Sequence, residues 1–403
     1  MKEILFRKLP VAAGKRVQTM RIWIRADANE EIASGHLART LSIAGELRRL
    51  GVRVRFVLAE EESRSWLQRL SGNPDEWEVS VLGLPYGKPG EELPLLAKLA
   101  EREQPDWILM DSYAVSGDWF EQLRSTLAAS LQEKQREENP APGLAFLDDE
   151  RAFDPAVDLV INYDPDAESL QSFYQKAPFR LLGPKYAPLR EQFADLRPAV
   201  RPSVRKILIS TGGTDPYGMA KRLQKLVQCV PETAVMAPGY PRVEKVAELL
   251  LGCDLAISAA GTTLYELCAA GVPTLAFSMA DNQELFAKQM AAAGAVTYLG
   301  DIRNPEVLEK LEKNVASWLS ERGAAEEHGL PEAKERGAAE EHVLPEAQKR
   351  SAGEALLLRQ QESVRMHALT DGLGSRRIAE KLIQISDGAC SGRKDRQQTG
   401  GMR

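Results

Sequence analysis

The turn ADANEEIASGHLAR (26–39) carries the residues best suited to chemistry. It follows an apolar run of strand length, RIWIRAD (21–27). Loops at the carboxyl ends of parallel strands are where open α/β sheets bind ligands. Ser34 and Gly35 form a tight, small-residue turn, and His36 opens the next helix. A neutral imidazole there is a competent general base near pH 7; the alternative is a helix-opening residue bonded to local backbone. Asp27, at the strand end, can orient that imidazole or serve only as a capping carboxylate.

A second signal is AISAAGTTLYE (256–266), again a strand, a small-residue turn and a helix. Backbone N–H groups of Gly261, Thr262 and Thr263 at a helix N-terminus favour an anion such as a diphosphate. Glu266, one turn in, can accept hydrogen bonds from a ribose diol. Threonine is also a common N-cap, so this turn alone fits either role. Its partner loop is STGGTDP (210–216), where Gly212 and Gly213 permit close backbone approach and Thr214 follows. No Walker or GxGxxG spacing occurs, which disfavours ATP and NAD. Two such loops at strand ends of one half together point to a nucleotide diphosphate.

Other strand ends add candidates. Asp111 and Tyr113 in MDSY are two apart on an extended segment, hence on one side. Asn282 and Gln283 can bond a sugar or phosphate, or cap a helix. Asp148 and Asp149 in LDDE (147–150) also follow an apolar strand and so belong at the same edge, although such acids more often close turns. Asp164-Pro165-Asp166 reads as a turn rather than a metal-binding DxD. Neither a metal nor an organic cofactor is expected.

Elements of alternating type must position these residues. Strand-length apolar runs alternate with helical patterns from Met20 onward, which means parallel strands with crossover helices. The expected organisation is an extension over 1–19, a first Rossmann-like domain over 20–185, a proline-containing linker over 186–205 and a nucleotide-binding domain over 206–320. Residues 321–334 and 335–348 are near-identical 14-residue repeats rich in Ala and Glu, read as a solvated insertion over 321–350. His328 and His342 lie inside it and carry no catalytic weight. A helical segment over 351–386 and a disordered tail over 387–403 complete the chain.

At 403 residues, 43% hydrophobic and with net charge −6, the chain can build two cores and lacks the basic balance of a nucleic-acid binder. The expectation is a soluble cytoplasmic protein, since no apolar run approaches the ~20 residues of a membrane span. Four cysteines without CxxC spacing argue against a disulfide framework or zinc site.

With these motifs in place, the chain resembles the UDP-2,4-diacetamido-2,4,6-trideoxy-β-L-altropyranose hydrolases of pseudaminic acid biosynthesis and their spore-coat polysaccharide relatives. The likeness covers roughly residues 20–302 and the DGLGSRRIAEKL helix (371–382). It is carried by Arg25-Ala26-Asp27-Ala28, by Ser34-Gly35-His36 with Arg39, and by Asp111-Ser112-Tyr113. Asp148-Asp149, the segment from Gly183 to Arg190, Gly212 to Pro216, Gly261 to Glu266 and Asn282-Gln283 continue it in order. The resemblance implies a GT-B-like α/β fold, two Rossmann-like domains with parallel sheets flanking a cleft. It implies catalytic roles for His36, Asp27, Asp111 and Tyr113, and nucleotide contacts from Gly212, Gly213, Thr214, Gly261, Thr262, Thr263 and Glu266. Sugar contacts fall to Ser34, Gly35, Arg39, Tyr186, Arg190, Asn282 and Gln283. The substrate would be a UDP-sugar, hydrolysed with His36 as base. A GT-B glycosyltransferase using the same donor is the enzyme alternative, and a non-catalytic scaffold of polysaccharide assembly the non-enzymatic one. The chain departs from the pattern at Ala33 and Ala260, where glycine is usual, at Tyr265, where tryptophan is common, and at Tyr163-Asp164.

Overall fold

The computed structural model describes residues 19–73, 75–130, 141–213, 215–241, 243–320 and 352–399. The extension before Thr19, Thr214 and the tandem repeat lie outside them. The described chain divides into two compact units. One holds residues up to Ile161, Phe173–Leu181 and Ser375 onward; the other holds Asn162–Ser172 and Leu182–Gly374.

The first unit is built on β1 (Arg21–Ala26), β2 (Arg53–Leu58), β3 (Glu78–Val81), β4 (Trp107–Asp111), β5 (Gly143–Leu147), β6 (Leu159–Asn162) and β7 (Phe179–Leu182). Its strand order is β3-β2-β1-β4-β5-β6-β7. Helices α1 (Gly35–Arg49), α2 (Glu61–Ser71), α3 (Pro89–Glu103) and α4 (Gly117–Ser130) are the crossovers. β4 is buried at every position, as a parallel strand covered on both faces requires. The order reverses between β1 and β4, whose register pairs Ala26 with Asp111. That places the loops after both strands at one topological switch point, the position where open α/β sheets bind ligands. The edge strand β7 carries no clear signal in the sequence, because FRLL is short and lacks alternation.

The second unit carries β8 (Lys206–Ser210), β9 (Glu232–Met236), β10 (Leu255–Ala259), β11 (Thr274–Ser278) and β12 (Thr297–Asp301), ordered β12-β11-β10-β8-β9. Its helices are α5 (Met219–Leu226), α6 (Val246–Leu251), α7 (Thr263–Ala270), α8 (Asp281–Ala292), α9 (Pro305–Ser320) and α10 (Ala352–Leu369). The switch point falls between β8 and β10, which pair Ser210 with Ser258. The Gly212-Gly213 loop and the Gly261–Thr263 turn therefore leave the sheet side by side. The core joins Ile207, Ile209, Leu255 and Ile257 to Leu223 of α5 and to Val307, Leu311 and Val315 of α9.

Residues 186–205, expected as a linker, pack within the second unit. Phe193 is fully buried there, and Gln192 Oε1 accepts the Ala247 N–H at 2.9 Å. The last helix, α11 (Gly374–Thr399), counts with the first unit and runs past the expected end at Ser386. Its Ser386 hydroxyl accepts the Trp107 indole N–H at 2.7 Å, an anchor 279 residues away that local propensity cannot show. Gly372 has φ +77, and a Cβ there would stand 2.0 Å from the Phe193 carbonyl oxygen, so only glycine fits.

Candidate functional site

The loop after β1 is shaped by its own side chains. Asn29 Oδ1 accepts the N–H groups of Glu31 and Ile32, each at 3.0 Å, closing a turn that leads to Ala33. Ala33 has φ +55, the left-handed region that glycine occupies most easily. Ser34 precedes α1 without a side-chain cap, and Gly35 begins it with open space where a side chain would stand.

His36 and Arg39 sit three apart on one face of α1, turned inward and buried. His36 Nδ1 lies 2.6 Å from Asp111 Oδ1. Arg39 Nε donates to Asp111 Oδ2 at 2.6 Å while a terminal guanidinium nitrogen donates to Oδ1. The other terminal nitrogen pairs with Asp149. Burial alone would push the Asp111 carboxyl up, but Arg39 and His36 hold it down at about 2. An ionised Asp111 only accepts, so the proton of the His36–Asp111 bond sits on Nδ1, and in the neutral imidazole the lone pair is then on Nε2. Nε2 makes no hydrogen bond among the described residues. That is the arrangement of a general base oriented through its other nitrogen.

Tyr113 completes this cluster. Its ring stands edge-on to the imidazole at 4.3 Å between centroids, and its hydroxyl donates to Asp149 Oδ2 at 3.2 Å. Partial burial and the Asp149 carboxylate raise the phenol well above its usual range, so it stays a neutral donor. Tyr113 as a residue is 42% exposed.

The carboxylate beside His36 is Asp111, not Asp27. Asp27 Oδ1 accepts the Ala59 N–H at 2.7 Å and the Ser63 hydroxyl at 3.0 Å, and Oδ2 pairs with Arg25. Arg25 also forks onto Glu92, with Nε 2.9 Å from Oε2. This ion triad braces the end of β1 from behind. Asp149 reaches the cluster from the end of β5, next to β4, the shared edge expected of LDDE, and so is more than a turn acid. Asp148 is the turn acid, accepting the Arg151 N–H at 2.8 Å and the Tyr174 hydroxyl at 2.8 Å. Asp164 and Asp166 do form a turn, leading into a short 3-10 helix over Ala167–Ser172.

In the second unit, Gly212 has φ +76, and Gly212 and Gly213 are exposed with open space around them. Asp215 closes their loop by accepting the Met219 and Ala220 N–H groups at 2.7 and 3.0 Å. The Gly261 N–H is not available to a ligand, because it donates to the Ala259 carbonyl at 2.9 Å. Thr262 and Thr263 keep their N–H groups unbonded among the described residues at the start of α7, as helix-opening residues do. Glu266 is one turn on; burial raises its carboxyl, opposed by Arg190 at 2.7 Å. Lys185 lies over the Tyr186 ring at 5.3 Å. Gln283 caps α8 through Oε1, which accepts the Met279 N–H at 2.9 Å. Asn282 is the second residue of α8, and its side chain lies outside the described residues.

Two departures from the expected pattern touch each other. The Tyr265 hydroxyl donates to the Tyr163 carbonyl at 2.7 Å, and their rings meet edge-on at 5.6 Å.

No protein-family model matches the chain. An uncharacterized protein of Methanocaldococcus jannaschii is 22% identical over 290 residues, 64% of this chain and 55% of that protein. The spore coat polysaccharide biosynthesis protein SpsG of Bacillus subtilis is 28% identical over 152 residues, 32% of this chain and 43% of that protein. The Helicobacter pylori pseudaminic acid cytidylyltransferase and UDP-2,4-diacetamido-2,4,6-trideoxy-β-L-altropyranose hydrolase is 24% identical over 202 residues, 47% of this chain and 37% of that protein. The chain thus spans about half, or less, of the length of the curated relatives it matches. Among solved structures, MurG of Acinetobacter baumannii has a TM-score of 0.55 at 12% identity, covering 91% of this chain and 99% of that one. Arabidopsis thaliana UGT89C1 complexed with UDP has a TM-score of 0.52 at 14% identity, with 91% and 99% covered. The fold is α/β of the GT-B class, two units each with a parallel, Rossmann-like sheet.

Proposed function

We propose that this protein acts on a UDP-linked sugar in surface or spore-coat polysaccharide biosynthesis, hydrolysing it to free sugar and UDP with His36 as the base. The observation that carries the reading is the buried His36–Asp111 pair at the switch point of the first sheet, with Nε2 left for a proton. Nε2 takes a proton from water as the water oxygen bonds to the anomeric carbon. The bond from that carbon to the diphosphate oxygen breaks, and UDP leaves with the electron pair. Tyr113 flanks His36, and its hydroxyl, whose one proton goes to Asp149, keeps lone pairs that can accept from a sugar hydroxyl. The diphosphate belongs at the second unit's Gly212-Gly213 loop and at the Thr262 and Thr263 N–H groups, where the helix end favours negative charge. The ribose falls to Glu266, and Arg190 and Tyr186 remain sugar contacts in this reading. The hydrolase activity of the Helicobacter pylori relative supports a diacetamido-trideoxy sugar, and the UDP bound to UGT89C1 supports the nucleotide.

Transfer to an acceptor hydroxyl is supported about equally, because the solved neighbours of this fold include MurG, the calicheamicin glycosyltransferase CalG4 and the glycotransferase of kitacinnamycin. The same base and leaving group serve both reactions. Product analysis with UDP-linked diacetamido-trideoxy sugars, with and without an added acceptor, tests the choice. Free sugar formed in water alone supports hydrolysis, and turnover only with acceptor supports transfer.

A further inference from the structure

We propose that Arg39 is a positioning residue for His36: gripping Asp111 on one side and Asp149 on the other, it locks the Asp111 carboxylate so that Nδ1 stays a donor and Nε2 remains the reactive nitrogen. The inference deepens the reading above and takes its catalytic meaning from it, but its geometry involves no substrate.

A guanidinium has five N–H donors and no acceptor. Arg39 spends them as a fork. Nε and one terminal nitrogen cover both oxygens of Asp111, and the remaining terminal nitrogen holds Asp149. The side chains of Arg39 and Asp111 are 7% and 0% exposed, so these charge-assisted bonds form away from water. His36 Nδ1 has two polar neighbours, Asp111 Oδ1 at 2.6 Å and an Arg39 terminal nitrogen at 3.1 Å. Because Arg39 can only donate, Nδ1 can satisfy one neighbour and not both. The Nδ1–H tautomer bonds Asp111; the Nε2–H tautomer would turn a lone pair onto a carboxylate oxygen. Asp111 makes that choice only while its plane is held, and a free aspartate rotates through a broad χ2 well. The fork removes this rotation. Asp149 orients the fork from the opposite side and receives the Tyr113 hydroxyl, and Glu150 lies close enough to feel both His36 and Arg39. An arginine engaged in this way is suited to hold the base rather than the sugar.

Long-range proton–nitrogen correlation spectra of the full chain, labelled with nitrogen-15 histidine at pH about 8, test the idea. The chain has four histidines, so His36 is assigned by the signals lost in His36→Asn. The parent protein is expected to show His36 protonated on Nδ1 alone. Asp111→Asn, the positive control, should give a mixture. In Arg39→Gln the Nε2–H form should rise roughly tenfold, as expected when a charge-assisted bond is weakened. Arg39→Lys, which keeps the charge and loses the fork, should fall between, and it decides the matter if Arg39→Gln does not fold. An Nε2–H parent, or parental spectra from both Arg39 variants, would overturn the proposal. No substrate is present, so this result is separate from failure of the UDP-sugar reading, which nucleotide titration and product analysis test.

Discussion

His36 Nδ1 and Asp111 Oδ1, 75 residues apart in the chain, meet at 2.6 Å because β1 and β4 are neighbours at the switch point of one sheet. The strand order, more than any local sequence, makes this pair. Asp111 ends β4 in register with the last residue of β1, and the first turn of α1 brings His36 over it.

Acid should dissolve this relationship in a defined window. The Asp111 carboxyl lies at about 2 against an ordinary 3.8, so its folded value is depressed. Its pairing therefore stabilises the fold above about pH 4 and is lost as pH falls toward about 2. In denaturant titrations from pH 5 to 2, Asp111→Asn should flatten part of the parent's loss of stability. Parallel curves for both proteins would contradict the assignment.

Asp27 and Asp111 should separate in mutagenesis. Asp27→Ala leaves Arg25 facing Glu92 alone and strips acceptors from Ala59 N and Ser63. Breaking a buried ion cluster this way typically costs about 3–5 kcal/mol. The thermal midpoint should drop by several degrees, while His36 keeps its Nδ1 proton. A changed His36 tautomer in a folded Asp27→Ala protein would return Asp27 to the base's side.

Ala33 is held at φ +55, where an alanine carries roughly 1–2 kcal/mol of strain. Glycine would relieve it at an entropic cost of roughly 0.5–1 kcal/mol. Ala33→Gly should thus be stabilising, by up to about 1 kcal/mol in the denaturation midpoint. A destabilised variant would mean the αL turn is not kept in solution.

Tyr265→Phe removes the hydroxyl that satisfies the Tyr163 carbonyl and keeps the ring contact with Phe286. A loss of about 1–2 kcal/mol is expected, because a buried bond is broken without a cavity. Tyr265→Phe with unchanged stability would show that water replaces the hydroxyl.

Much of this was legible before the structure. The alternation of apolar runs and helical patterns fixes a two-unit parallel α/β fold, since parallel neighbours need crossover helices. His36, Asp111 and Tyr113 stand out because each sits at or just past the carboxyl end of a strand, the edge where open α/β sheets bind ligands. Asp27 misleads, because what claims its carboxylate, Arg25, Ala59 and Ser63, depends on a helix and a strand up to 36 residues away. Gly261 misleads in another way: its N–H closes a local turn that spacing cannot reveal. The proline content of 186–205 suggests a linker, yet Phe193 and Gln192 tie that stretch into the second unit, a matter of burial rather than of composition.

The most direct measurement is calorimetric titration of UDP into the parent protein and His36→Asn, paired with sugar release from UDP-linked diacetamido-trideoxy substrates. UDP affinities within a few-fold of each other and release only from the parent are expected. Equal loss of binding and release in His36→Asn, or no UDP binding by either protein, would contradict the proposed function.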